Sequence, residues 1–392
     1  ILLIMNNTVT VKLMGRQYQG DLLEIQGSDP VDPSPIEEPV GEVIGLGDSI
    51  HVADYIDGYD FTNEFDITAA LKKAISKAWE ISKLRYAQAK KHPREPVVEG
   101  REPGYWTKSG SAHAPQIIIP EGAHRVYEDI YIPGHFALIG EAGWNSVIRF
   151  MDGARLHVLG TFTADFGVVQ PIGGCIKDLK IVPDGEKRNF PTVNIYGNLS
   201  NWAFDHVHIM NSSNAASINF FHHKKEGLVT PFGTTETKGN VHLKECDIQN
   251  CQFEYGRGGI LIRDGFNCHI HNNKMIYVDH GIHMSNGRQS NIYNNSIIYG
   301  GAGSRAIGIT ASTTAGNIIP LHGNHIHGYK KGMLCDFKGN RLVHYINTFE
   351  NCEGYNTYDS IFQTGPWKSE DSTGMFVEGK GMWDIGSNQD PH

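Results

Sequence analysis

Apolar and variable residues alternate in short stretches between about Thr192 and Gln363, and the stretches recur. Gly259-Ile260-Leu261-Ile262-Arg263, Gly281-Ile282-His283-Met284-Ser285, Ala306-Ile307-Gly308-Ile309-Thr310 and Gly332-Met333-Leu334-Cys335-Asp336 share one pattern. Their leading apolar positions, Ile260, Ile282, Ile307 and Met333, are 22, 25 and 26 residues apart. A second strand-like element falls between them: His271 to Ile276, Tyr293 to Ile298 and His322 to Ile326. Period-two alternation marks strands with one buried face. Several short strands per repeat, with no helix between them, predict a β-solenoid. A solenoid offers a long polar groove, which places saccharide chains first among substrates.

Only one segment has a helical period. Ile67, Leu71, Ile75, Ala78 and Trp79 recur at three- to four-residue steps with lysines opposite, predicting a helix over 66–90. Thr62, Asn63 or Asp66 is placed to cap its start. The chain then divides into four parts. Residues 1–40 hold a strand-like stretch, Thr8 to Leu13, followed by an acidic, proline-bearing linker. Residues 41–115 form an entry region with the helix and a polar loop at about 91–114. Residues 116–366 carry the repeats, interrupted near 224–240 by a loop inserted into one coil, and 367–392 are a C-terminal extension. The chain opens on Ile1 and reads as a fragment or a processed chain, with Met5 a candidate start.

Strand alternation gives each repeat residue a direction. Ile260/Ile262, Ile282/Met284, Ile307/Ile309 and Met333/Cys335 are predicted inside, with Val193/Ile195 and Ile218/Phe220 extending the columns backward. One outward column then reads Asn194, Asn219, Leu261, His283, Gly308, Leu334. Beside it runs Tyr196, Phe221, Arg263, Ser285, Thr310, Asp336. Asn273, Asn295, Asn324 and Asn347 recur at 22, 29 and 23 residues. Asparagine tolerates left-handed backbone and can bond its own copy on the next coil, so these predict a structural ladder.

Composition agrees with a turn-rich β protein: 392 residues, 45 glycines, 20% charged and 40% hydrophobic. A net charge of −9 gives no general footprint for nucleic acid. No apolar run approaches the roughly 20 residues that span a bilayer, so no membrane association is expected. The six cysteines, Cys175, Cys246, Cys251, Cys268, Cys335 and Cys352, lack CxxC or zinc spacing and read as free, buried thiols. That suits folding in a reducing cytoplasm.

The entry region carries a more specific signal. Asp48-Ser49-Ile50-His51-Val52-Ala53-Asp54-Tyr55, the helix from Asp66, Ile117-Ile118-Ile119-Pro120-Glu121-Gly122, Tyr131-Ile132-Pro133-Gly134 and Leu138-Ile139-Gly140-Glu141-Ala142-Gly143 follow in that order. Together they resemble the entry segment of the pectate-lyase-like superfamily, as found in phage tailspikes and capsule depolymerases. The resemblance covers about 48–150 and implies an all-β, right-handed parallel β-helix whose open end is covered by an N-terminal capping α-helix. It also implies a bacterial polysaccharide partner, a homotrimer, attachment to a virion through the N-terminal segment, and a tail-spike location, with secretion as the alternative. It supplies no catalytic motif, and the Asp54–Asp66 stretch departs from the glycine-rich family form.

Hydrolysis of a glycosidic bond requires paired carboxyl groups, about 5–5.5 Å apart for retention and about 6.5–9.5 Å for inversion. Asp264, Asp279, Glu254 and Asp336 are the candidate acids, since neighbouring coils lie about 4.8 Å apart. β-Elimination on a uronic-acid polymer is the competing chemistry, with His283 as base. Arg263, Arg257, Tyr277, Tyr196 and Phe221 are the candidate substrate-binding residues. A third reading is a non-catalytic polysaccharide-binding adhesin. The alternating pairs His206/His208, His269/His271 and His325/His327 have no acid or third histidine at a fixed sequence spacing. No metal or other cofactor is assigned.

Overall fold

The computed structural model describes residues 2–5, 8–13, 16–21, 49–91, 115–183, 191–210, 218–223, 227–236, 242–299, 307–312, 318–329, 331–336, 341–345 and 347–350, with residue 352 and pairs or short strands at 358–359, 363–366 and 376–377. The chain divides into two compact units, Ile1–Val43 and Ile44–His392. The first is an antiparallel meander of Leu2–Met5, Thr8–Leu13 and Arg16–Asp21. The linker tract, the 92–114 loop and most of 367–392 lie outside the described residues.

The second unit is a right-handed parallel β-helix. Each coil contributes to three parallel sheets. The first runs through Gln116–Ile119, Ala137–Gly140, the start of Cys175–Pro183, Asp247–Gln249, His269–His271 and Asn291–Tyr293. The second includes Gly122–Val126, Ser146–Phe150, the first halves of Gln252–Ile262 and Lys274–Met284, Ser296–Ile298 and His325–His327. The third links Ile130–Pro133, Leu156–Leu159, Val193–Tyr196 and Ile218–His223 with the later halves of the two long strands, then Ile307–Ser312 and Lys331–Asp336.

Alternation along these strands fills the interior. Ile270, Ile292, Phe253, Met275, Ile297, Ile260 and Ile282 are all essentially inaccessible to solvent. The third sheet corrects two expected registers. Ile282 pairs with Ile309, and Ile309 with Met333, so Ile307 is not in that column. Phe220, not Ile218, lies beside Ile260. A glycine column sets this register. A Cβ on Gly259, Gly281 or Gly308 would come within 2.5–2.6 Å of a carbonyl oxygen on the next coil. Gly308 rather than Ala306 must therefore continue the column, because only glycine allows backbones that close.

The helix α1, Thr68–Lys91, covers the end of the core. Asp66 accepts hydrogen bonds from the Thr68 N–H (2.9 Å) and the Thr68 hydroxyl (2.6 Å), fixing the helix start. Ile67, Leu71, Ala74, Ile75 and Ala78 are buried in the same hydrophobic core as the first coils. Trp79 packs on Phe162, Phe166 and Phe232. Those rings come from the interruption near 224–240 and its neighbour. Phe162–Ala164, Gly167–Val169, Gly233–Thr235 and Val229–Thr230 build a separate four-stranded sheet. Among the described cysteines all thiols are free, and Cys246, Cys251, Cys268 and Cys352 are buried.

The asparagine ladder sits between the first and second sheets. Nδ2 of Asn273 donates to Oδ1 of Asn295 (3.0 Å), Asn295 to Asn324 (3.0 Å) and Asn324 to Asn347 (2.9 Å). Each oxygen also accepts a backbone N–H from the preceding rung, and all four side chains are buried. Asn272 and Asn294, just before two of the rungs, and Asn250, before Cys251 at the same position one coil earlier, have φ of 53–55°.

Candidate functional site

The corner between the second and third sheets repeats a different residue. Tyr255, Tyr277 and Tyr299 are one coil apart, because Glu254 pairs with Ile276 and Ile276 with Ile298. Tyr255 and Tyr277 have φ of 53° and 55°. A bulky residue in the left-handed region is strained by of order 1–2 kcal/mol. The strained backbone turns both rings outward, where they stay 44% and 48% exposed and stack at 5.4 Å and 13°. Tyr299 continues the column, half-buried, with its ring 5.5 Å from Tyr329. Gly328 ends it, since a Cβ there would meet the Tyr299 carbonyl oxygen at 2.2 Å.

Carboxylates flank this strip on both sides. Glu254 precedes Tyr255 on the outer face of the second sheet, in register with Met210 and Ile276. Its Oε1 accepts from Gln252 Nε2, and its Oε2 lies 3.5 Å from His208 Nε2. Burial lowers the His208 pKa, against the upward pull of Glu254, which favours the neutral imidazole. Trp144 lies 5.1 Å from the His208 ring and stacks on His206 at 4.8 Å, while His206 Nδ1 is 2.7 Å from Asp178. On the other side, half-buried Asp279 follows Tyr277 and accepts the Tyr299 hydroxyl. Burial first, then the Asp279 charge and hydrogen bond, raise the Tyr299 pKa.

The remaining sequence candidates are dispersed. Tyr196 is not outward in a groove: it is 6% exposed, and its ring stacks on His157 at 5.6 Å. Phe221 is 4% exposed beneath the Arg263 guanidinium, 5.1 Å from the ring centroid, and pairs with Leu261 rather than Arg263. Asn194 and Asn219 are also fully buried, so the predicted outward columns are covered on these earlier coils. Asp264 is 1% exposed, bonded by Asn286 Nδ2, and its carbonyl accepts the Leu243 N–H. It holds neighbouring coils together instead of facing a groove. His283 is half-buried on the third sheet. Burial, then His280 and Arg263, lower its pKa to about 3, leaving a neutral and weakly basic ring. The side chains of Arg257 and Asp336 fall outside the described residues. Of the candidates, Glu254, Tyr277 and Asp279 thus share one corner. Tyr255 and Tyr299 were missed, although their 22-residue recurrence with Tyr277 is visible in the sequence.

The fold defines a class, the capped right-handed parallel β-helix implied by the entry segment. Comparison adds likenesses. The family model described as periplasmic copper-binding protein (NosD) matches residues 188–381. A search of curated protein sequences finds no match. Among solved structures, a tailspike protein mutant of E. coli bacteriophage HK620, in complex with a pentasaccharide, is 11% identical with a TM-score of 0.38, covering 84% of this chain and 67% of its own. The A-module of mannuronan C-5 epimerase AlgE4 from Azotobacter vinelandii is 12% identical, TM-score 0.30, covering 78% and 79%. The exopolygalacturonase of Thermotoga maritima is 12% identical, TM-score 0.28, covering 81% and 94%. At these scores the architecture rests on the chain's own strand pairings. No helix among the described residues is long and apolar enough to cross a membrane.

Proposed function

We propose that this protein binds a bacterial surface polysaccharide along the tyrosine corner and cleaves its glycosidic bonds by hydrolysis, as a tailspike-like depolymerase. The observation that carries the reading is the exposed, stacked pair Tyr255 and Tyr277, held in strained backbone between Glu254 and Asp279. Two rings stacked on each other keep their outer faces and exposed edges free, and such an outer face suits the apolar face of a sugar ring. The two carboxyl groups supply the residue types that glycoside hydrolysis requires. The resemblance of the entry segment supports the polysaccharide setting, assembly as a homotrimer and attachment through residues 1–40. Elimination is less well supported, because His283 is a weak base. A second reading, binding without cleavage, draws on one observation: both carboxylates already have protein partners, Gln252 and His208 for Glu254 and Tyr299 for Asp279.

Incubation with capsular and O-antigen polysaccharides tests this. New reducing ends without an unsaturated, ultraviolet-absorbing product are expected. Glu254→Gln and Asp279→Asn should each lower turnover by about a hundredfold or more, the scale of general acid–base catalysis. Binding without cleavage by the unaltered protein would leave an adhesin. Full activity in both variants would remove these carboxylates from the mechanism.

A further inference from the structure

Three histidine pairs spaced two apart lie along the coils, and their surroundings differ. In the first, His206 turns to Asp178 and His208 to Glu254, so the two rings serve separate acids. In the second, His269 meets Asn291 at 3.2 Å and His271 stacks flat on Tyr293 at 4.6 Å. The third pair converges. His325 and His327 project from the same face of the strand His325–His327, as period-two alternation requires. Glu350 stands beside His327 on the next coil, in direct register.

One carboxylate oxygen meets both rings. Glu350 Oε2 lies 3.4 Å from His325 Nε2 and 3.3 Å from His327 Nδ1. The three ligand atoms all fall within 4.8 Å of one another, and no other histidine, cysteine or carboxylate group converges in this way among the described residues. His325 Nε2 is shielded from solvent without a well-formed hydrogen bond. The 3.4 and 3.3 Å separations from Glu350 match the spacing of ligands around an ion at the roughly 2.0–2.2 Å typical of zinc–nitrogen and zinc–oxygen bonds. Small rotations of the partly exposed rings bring the two nitrogens to the same spacing. Both rings and the carboxylate remain partly exposed, so an ion can enter from solvent.

We infer that His325, His327 and Glu350 form a binding site for a divalent late transition ion, Zn2+ or Cu2+. Imidazole nitrogens select these ions over Ca2+ and Mg2+, which prefer oxygen. Three protein ligands leave a coordination position for water or a ligand group. The ion clips two successive coils together, joining His325–His327 to Thr348–Glu350. The site adjoins the far end of the tyrosine corner, because His327 pairs with Ile298, the neighbour of Tyr299, and ion binding there requires no cleavage activity.

Isothermal titration of the untagged full chain with Zn2+, Cu2+, Ca2+ and Mg2+ tests the site. One equivalent of Zn2+ and of Cu2+ should bind, with no comparable binding of Ca2+ or Mg2+. His327→Ala and Glu350→Gln, with circular dichroism verifying the fold, should each weaken binding at least about tenfold. The His269→Ala/His271→Ala double variant should bind as the unaltered chain does. Electron paramagnetic resonance of the Cu2+ form should report two nitrogen ligands. Absence of binding by both ions, undiminished affinity in His327→Ala and Glu350→Gln, or equal loss in the His269/His271 control would overturn the assignment.

Discussion

The corner between the first and second sheets carries asparagines, whereas the corner between the second and third carries tyrosines. Both ladders advance one coil at a time, and both adjoin left-handed backbone. At the first corner every rung is buried and bonded to the next, so the side chains satisfy backbone groups that water cannot reach. At the second corner Tyr255 and Tyr277 stack outward and leave nearly half of each residue exposed. Burial separates them: the asparagines hold the coils, and the tyrosines stay open to solvent.

The largest expected effect comes from breaking the buried ladder. Asn295→Ala removes bonds to Asn273, Asn324 and the Ile270 carbonyl. It should cost about 3–4 kcal/mol, since several buried polar groups lose partners at once. Urea denaturation measures this, and a loss under about 1 kcal/mol would end the structural assignment of that corner.

An intermediate effect lies on the third sheet, beyond the tyrosines. His283 is neutral when folded, with a pKa lowered to about 3, and titrates near 6.5 when unfolded. The unfolded chain therefore binds more protons between those values, and stability falls as pH drops below about 6.5. This residue should contribute roughly 2 kcal/mol of loss between pH 7 and pH 5. His283→Gln should flatten the fall in denaturation midpoint by that amount. An unchanged slope would mean that this face is as open to water as the tyrosine corner.

The smallest effect on stability belongs to Tyr277→Ala, within about 1 kcal/mol, because the ring is exposed and its backbone strained. Its affinity for a saccharide fragment should nevertheless fall about three- to tenfold, the range of one stacked aromatic contact. Calorimetry checks both numbers. Destabilisation comparable to Asn295→Ala would erase the distinction between the corners.

Particular residues show how far the sequence could be read. The repeat, the capping helix and the asparagine ladder were legible because each depends on local periodicity, whereas the structure selected Asp66 from three candidates for the helix start. The third-sheet register was not, since Ala306-Ile307 and Gly308-Ile309 fit the same alternation. Only close backbone contact across coils distinguishes them. Tyr196, Phe221 and Asp264 looked outward by strand or turn position, yet they are buried, as alternation says nothing about what lies over a face. The recurrence of Tyr255, Tyr277 and Tyr299 was readable, but their exposure was not.

The third histidine pair marks the same boundary. Sequence spacing placed His325 and His327 on one face because a strand alternates every two residues. Glu350, 23 residues after His327, joins them only because the coil returns it to direct register. The sequence by itself thus determined the coil, its interior and its buried ladder, which follow from alternation and repeat length. Which side chains meet across coils, and which remain open to a ligand, was decided by stacking in three dimensions, where loops of unequal length and glycine contacts set the register.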